Sequence, residues 1–180
     1  MKFTMKITRK QIYWGLGITA SLITIGVLVH RNRKKIKELA EDAAEKAQSW
    51  LRPVVAKITS KFGYRTDPKT GKQNAFHNGI DLAVALNTPI KSPMPGIVDA
   101  VTSVGDGGNQ VIIKHDNGYK TGYAHLSKQL VKKGDKIKQG DVIGLSGSTG
   151  KSTGPHLHFT LTDPSGAKVD PQKMIYSNVV

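Results

Sequence analysis

Five histidines and one aspartate in the C-terminal two thirds of this 180-residue chain are spaced as metal ligands and proton carriers: His77 and Asp81 lie four apart, His156 and His158 two apart, and His115 and His125 fall between the pairs. The chain has no cysteine, so a bound metal must rest on nitrogen and oxygen donors. Two imidazoles and a carboxylate fill three of zinc's four tetrahedral positions and leave the last for water, the pattern of a hydrolytic rather than a structural site. A lone His-x-His is often a surface pair, and an isolated HxxxD carries little weight. It is their clustering in one small domain that points to a metal.

The elements that carry them must bring them together. Residues two apart on a strand share a face with Cα atoms roughly 6.6 Å apart, so His156 and His158 face one point, and spacing does not choose between them. A straight strand would hold His77 and Asp81 roughly 13 Å apart, too far for one ion. Asn78-Gly79 between them must bend the chain. From Pro53 onward the sequence is made of short β-branched runs broken by Gly, Pro, Asn and Asp, and Asp116-Asn117-Gly118 and Asp163-Pro164-Ser165-Gly166 predict hairpin turns. Residues 53–180 are thus expected to form an all-β domain, an antiparallel sandwich or small barrel.

The first 52 residues read differently. They carry 11 Lys/Arg against 4 Asp/Glu, whereas residues 53–180 carry 16 against 9, so half of the +14 charge sits in the shorter segment. Residues 11–30 contain no charged residue. As a helix they would span roughly 30 Å, the thickness of a bilayer core, which predicts a single transmembrane helix after a basic flank at 1–10. The run ends in HRNRKKIK rather than a small-residue cleavage site, which favours an uncleaved anchor. Basic residues at 31–37 are expected on anionic headgroups, and residues 31–52, rich in Ala, Glu and Lys over 36–51, predict a juxtamembrane stalk helix closed by Pro53. Charge does not set the orientation, because both ends of the span are basic. No aromatics interleave with the basic residues as in a nucleic-acid module, so no nucleic-acid partner is expected.

Five motifs then occur in order: SKFGYR (60–65), FHNGIDL (76–82), PGIV (95–98), YAHL (123–126) and GSTGKSTGPHLHF (147–159). Together they resemble the lysostaphin-like, LytM-type zinc endopeptidases of bacterial cell walls, over roughly Pro53 to Tyr176. The resemblance implies one zinc ion on His77, Asp81 and His158, with His125 and His156 as catalytic histidines beside the water. It implies hydrolysis of a peptide bond in peptidoglycan by a domain that faces the wall from a bacterial inner membrane or a phage virion membrane. Thr160 departs from the family, which often has an acidic residue there. Because ligand imidazoles must be neutral, activity is expected to fall below about pH 6.5.

Other residues and readings rank lower. His115 precedes a turn and is expected to be structural, Tyr123 to pack or to bond near the site, and Asn74 and Arg65 to line a groove. The main alternative function is a peptidase-like regulator that activates other wall hydrolases; all five site positions being filled argues for an enzyme. VKKGDKIKQGDVIG (131–144) resembles the hairpin of lipoyl carriers but lacks a convincing modified lysine. GSTGKSTG does not match the spacing of a phosphate loop, and a β segment follows it.

Overall fold

The computed structural model describes residues 32–38, 49–67 and 70–175. The chain divides into two compact units, Met1–Lys46 and Ala47–Val180. In the first, residues 32–38 form helix α1, exposed along its length, with Lys34 3.9 Å from Glu38 one turn on. The predicted membrane span at 11–30 and its flank at 1–10 lie outside the described residues. Among the described residues, no helix is long and apolar enough to cross a membrane.

The Ala/Glu/Lys pattern carries the expected stalk helix through residue 51, yet residues 49–52 are not helical. Trp50 instead packs edge-on against His115 and Tyr119, with ring centroids 5.5 and 5.7 Å away. Leu51 N–H donates to the Pro93 carbonyl at 3.1 Å, and Gln139 Nε2 donates to the Ser49 carbonyl at 2.6 Å. Helix propensity is worth at most about 0.7 kcal/mol per ordinary residue, whereas burying an aromatic ring is worth about 1.5–3 kcal/mol. The tryptophan therefore goes with the β domain.

The strands run β1 (Lys57–Ser60), β2 (Gly63–Arg65), β3 (Ala75–His77), β4 (Ile80–Ala83), β5 (Pro89–Lys91), β6 (Gly96–Ser103) and β7 (Asn109–His115). They continue as β8 (Lys120–Leu126), β9 (Lys128–Gln129), β10 (Lys136–Ile137), β11 (Val142–Leu145), β12 (His156–Thr162) and β13 (Lys168–Val169), before a last turn of helix, α2 (Gln172–Ile175). An eight-stranded sheet has the order β1-β4-β12-β8-β7-β6-β10, with β13 beside β12; β5-β11-β9 form a three-stranded sheet and β2-β3 a two-stranded one. Neighbours in the large sheet are antiparallel. Asp116–Tyr119 turns β7 into β8, with Gly118 at φ 84, as Asn-Gly turns require.

Alternation assigns the faces. On β12, Leu157, Phe159 and Leu161 are fully buried while His156, His158 and Thr160 point the other way. On β4, Ile80 and Leu82 flank the opposite-facing Asp81 in the same manner. The buried face of these strands, with Val111, Ile113 and Tyr123, shares one core with Ile90 of β5 and Ile143 of β11. Each such side chain contributes about 1.5–3 kcal/mol on burial. The core holds one face of the large sheet, and the other face is the floor of a groove.

Candidate metal centre

The groove holds about 420 Å³ and is lined by His77, Asp81, His125, His156 and His158 together. His77 ends β3, and the chain bends at Asn78-Gly79 before Asp81 enters β4. Gly79 makes this turn workable: a Cβ there would strike the Phe159 carbonyl oxygen and come within 3.0 Å of His158 Cε1. With that approach, β4 and β12 pair so that Asp81 lies directly across from His158. His77 Nε2, Asp81 Oδ1 and His158 Nδ1 then converge: 3.0 Å separates the two nitrogens, 2.8 Å separates His158 from Asp81 and 3.2 Å separates His77 from Asp81.

Tautomers can be read from the outer partners. His77 Nδ1 lies 2.8 Å from the Lys61 carbonyl, which can only accept, so Nδ1 carries the proton and Nε2 is a bare lone pair. His158 Nε2 donates to Asn78 Oδ1 at 3.1 Å, which leaves its Nδ1 bare. Burial pushes the Asp81 carboxyl up, but the adjoining His158 and His77 rings outweigh it and hold it far below the usual carboxylate range. With these tautomers three lone-pair donors face one another, an arrangement that could hold a cation. Donors about 2.0–2.2 Å from a tetrahedral ion lie roughly 3.3–3.6 Å apart. The observed triangle needs to open by less than about 1 Å on each edge. The donor set fits a metal such as zinc, and these are the residues that could hold it.

His125 and His156 stand beside this triangle, their rings 4.6 Å apart. His156 Nε2 is 3.8 Å from Asp81 Oδ1, and the His125 ring is 6.0 Å from that of His158. Each donates Nδ1–H to a main-chain carbonyl, His125 to Thr149 at 2.7 Å and His156 to Gly154 at 2.8 Å. That frees both Nε2 atoms as proton acceptors. Burial pushes the His125 imidazole below its ordinary value, and the neighbouring His156 and His158 act in the same direction, against the Thr149 carbonyl and Asp81.

His125 reaches the groove by breaking the alternation of β8. Tyr123 and Leu126 are both buried in the core, and strict alternation would send His125 to Tyr123's side. A left-handed backbone at His125, φ 62, turns it to the groove instead. Its own N–H is held by the Gly107 carbonyl at 2.8 Å. The 147–154 loop that supplies Thr149 and Gly154 is pinned in turn. Lys151 N–H donates to Asp106 O at 2.7 Å, and Asn109 N–H to Thr149 Oγ1 at 3.0 Å. Gly150 permits the close approach, since a Cβ there would strike Gly108 N.

All five residues singled out by the sequence motifs therefore meet in one place. His115 and Tyr123 do not; both are buried in the core. Arg65 lines the groove, and Asn74 occupies a left-handed turn position before β3. Sequence reasoning overlooked Asn78 as the anchor of His158 and the Gly-rich 147–154 loop as the anchor of both remaining imidazoles. Asn78's place directly after a ligand histidine was the available signal for the first. Thr160 lies on the groove face but is not what holds His158.

An antiparallel β domain with three candidate metal donors and two free imidazole bases on one sheet face is the arrangement of a metallopeptidase. The chain belongs to Peptidase family M23, whose pattern matches residues 75–171. It is 47% identical over 105 residues to the peptidoglycan DD-endopeptidase ShyA of Vibrio cholerae, covering 58% of this chain and 24% of that protein. Among solved structures it is similar to a zinc-containing peptidase from Vibrio cholerae, with TM-score 0.63 and 41% identity over 68% of this chain and 39% of the other. It is also similar to the catalytic domain of lysostaphin from Staphylococcus simulans, with TM-score 0.61 and 34% identity over 67% of this chain and 92% of that domain. The chain spans about a quarter of the length of the curated relatives it matches.

Proposed function

We propose that this protein is a zinc-dependent endopeptidase that hydrolyses peptide cross-links or stem peptides of bacterial peptidoglycan. The observation that carries the reading is the convergence of three lone-pair donors, His77 Nε2, Asp81 Oδ1 and His158 Nδ1, beside two imidazoles whose Nε2 atoms are free. Zinc held there supplies a Lewis acid that acidifies water and polarises a carbonyl. His125 and His156 supply the proton chemistry. One Nε2 takes the proton of the attacking water as its oxygen bonds the scissile carbonyl carbon, and the protonated ring returns it to the leaving nitrogen as the C–N bond breaks. The second ring, carrying on Nε2 a proton taken from solvent before the step and kept throughout it, donates a hydrogen bond to the developing oxyanion. Fixed carbonyls at Thr149 and Gly154 keep both rings in the orientation the transfer needs.

Residues 11–30 act as a single membrane anchor, and the basic residues at 31–37 rest on anionic headgroups. The β domain then works facing the wall, and either a bacterial inner membrane or a phage virion membrane satisfies this topology. The test is incubation of the zinc-loaded protein with purified peptidoglycan and mass analysis of the released fragments. New peptide termini are expected, and intact walls would overturn the reading. Protease digestion of the domain in intact spheroplasts or particles tests the topology, with cleavage only after permeabilisation counting against it.

A further inference from the structure

Arg65 ends β2, beside the strand that carries His77: Gly63 pairs with His77, and Arg65 with Ala75. Tyr64 between them is exposed, and Arg65 turns the other way to line the groove. Its guanidinium is a permanent cation with five donors in a planar fork. Its Nε is buried without a hydrogen-bond partner. The nearest anion is Asp81, whose Oδ2 lies 3.7 Å from Arg65 Nη2, beyond hydrogen-bond reach. The other oxygen of that carboxylate faces the two ligand histidines. Asp81 thus gives Oδ1 to the triangle and meets the fork only through Oδ2, at ion-pair rather than hydrogen-bond distance.

A partly buried arginine in the wall of a binding groove, held only by a loose 3.7 Å ion pair to Asp81, leaves its fork open to an anion from outside. Its fork matches a carboxylate through two parallel bonds. We propose that Arg65 is a specificity-determining residue that receives a free carboxylate of the substrate. This assigns the groove to wall peptides with a carboxylate next to the scissile bond, rather than to neutral glycine bridges, which offer only carbonyl oxygens. The inference rests on the endopeptidase reading and narrows it to one substrate class.

The test uses the zinc-loaded full chain and two cross-linked peptide dimers that differ only in the group beside the cross-link, a free carboxylate or its carboxamide. A second pair has the scissile amide replaced by a ketomethylene, so that binding is read by calorimetry without turnover. The carboxylate form should bind about 10- to 100-fold more tightly, as charge-assisted hydrogen bonds imply, with the difference appearing in KM rather than kcat. Arg65→Gln should bring the two forms close to parity through a loss that falls mainly on the carboxylate form, and Arg65→Lys should restore part of the preference. Equal binding of both forms by the wild type overturns the proposal. So does an equal loss for both in Arg65→Gln, which would make Arg65 a support for Asp81. If neither dimer is cut yet the ketomethylene pair still separates, the endopeptidase reading fails and the carboxylate site stands.

Discussion

The two faces of the large sheet treat histidine in opposite ways. On the core face, His115 has both nitrogens engaged: Nδ1–H donates to the Pro95 carbonyl at 2.8 Å, and Nε2 accepts from Thr121 Oγ1 at 2.8 Å. Thr121 accepts in turn from the Tyr123 hydroxyl at 2.9 Å. On the groove face, each of four imidazoles has one nitrogen tied to a fixed acceptor and the other left bare. The same side chain is structural where its hydrogen bonding is complete and reactive where it is half complete. Burial alone does not separate them, since His77 and His125 are each only 7% exposed against 2% for His115.

Removing a bare nitrogen from the triangle should have the largest effect. His158→Ala is expected to abolish hydrolysis of purified wall and to leave substoichiometric zinc after dialysis, read by elemental analysis alongside an unchanged circular dichroism spectrum. Full activity in that variant would break the comparison. Next, His125→Ala should lose about 10²–10⁴-fold in kcat while binding zinc normally, a split that a purely structural histidine would not produce. Asn78→Ala, which frees the outer nitrogen of His158, should weaken zinc affinity about 10–100-fold in a chelator competition.

The smallest change in activity is expected on the core face. His115→Ala strands the Pro95 carbonyl and the Thr121 hydroxyl and should cost about 2–4 kcal/mol of stability by urea unfolding, with zinc binding intact. Burial holds the His115 ring below its ordinary value of 6.5, against the Pro95 carbonyl and Asp116, which pull it up. Above that value the ring is neutral both folded and unfolded, and its contribution is complete. As pH falls below it the unfolded chain binds a proton that the folded chain refuses, and stability is lost. The stability advantage of the wild type over His115→Gln should therefore shrink between about pH 7.5 and about pH 5. A constant difference would mean that the ring titrates alike in both states.

The all-β class was legible because β-branched runs and Asn/Asp-Gly turns are local signals, and Asp116–Gly118 forms the turn its residues demand. The choice between His156 and His158 was not legible from spacing, because both face the groove. It depends on the pairing of β12 with β4, which sets His158 across from Asp81, and register between distant strands leaves no local trace. His125 escaped pattern reading for a related reason: alternation predicts the wrong face, and only a left-handed residue corrects it. Trp50 was misplaced because a helical period over Ala, Glu and Lys cannot reveal that an aromatic pocket waits between His115 and Tyr119.

The backbone of His125 also has an evolutionary consequence. A non-glycine residue in the left-handed region carries a penalty of about 1–2 kcal/mol, which glycine escapes. At position 125 the usual ranking inverts: glycine should give a more stable protein than alanine, and both remove the imidazole. Catalysis and foldability are thus separable at a single codon. A copy of this gene that drifts to glycine at position 125 would keep its sheet and its metal triangle, and would persist as a folded, non-cutting binder.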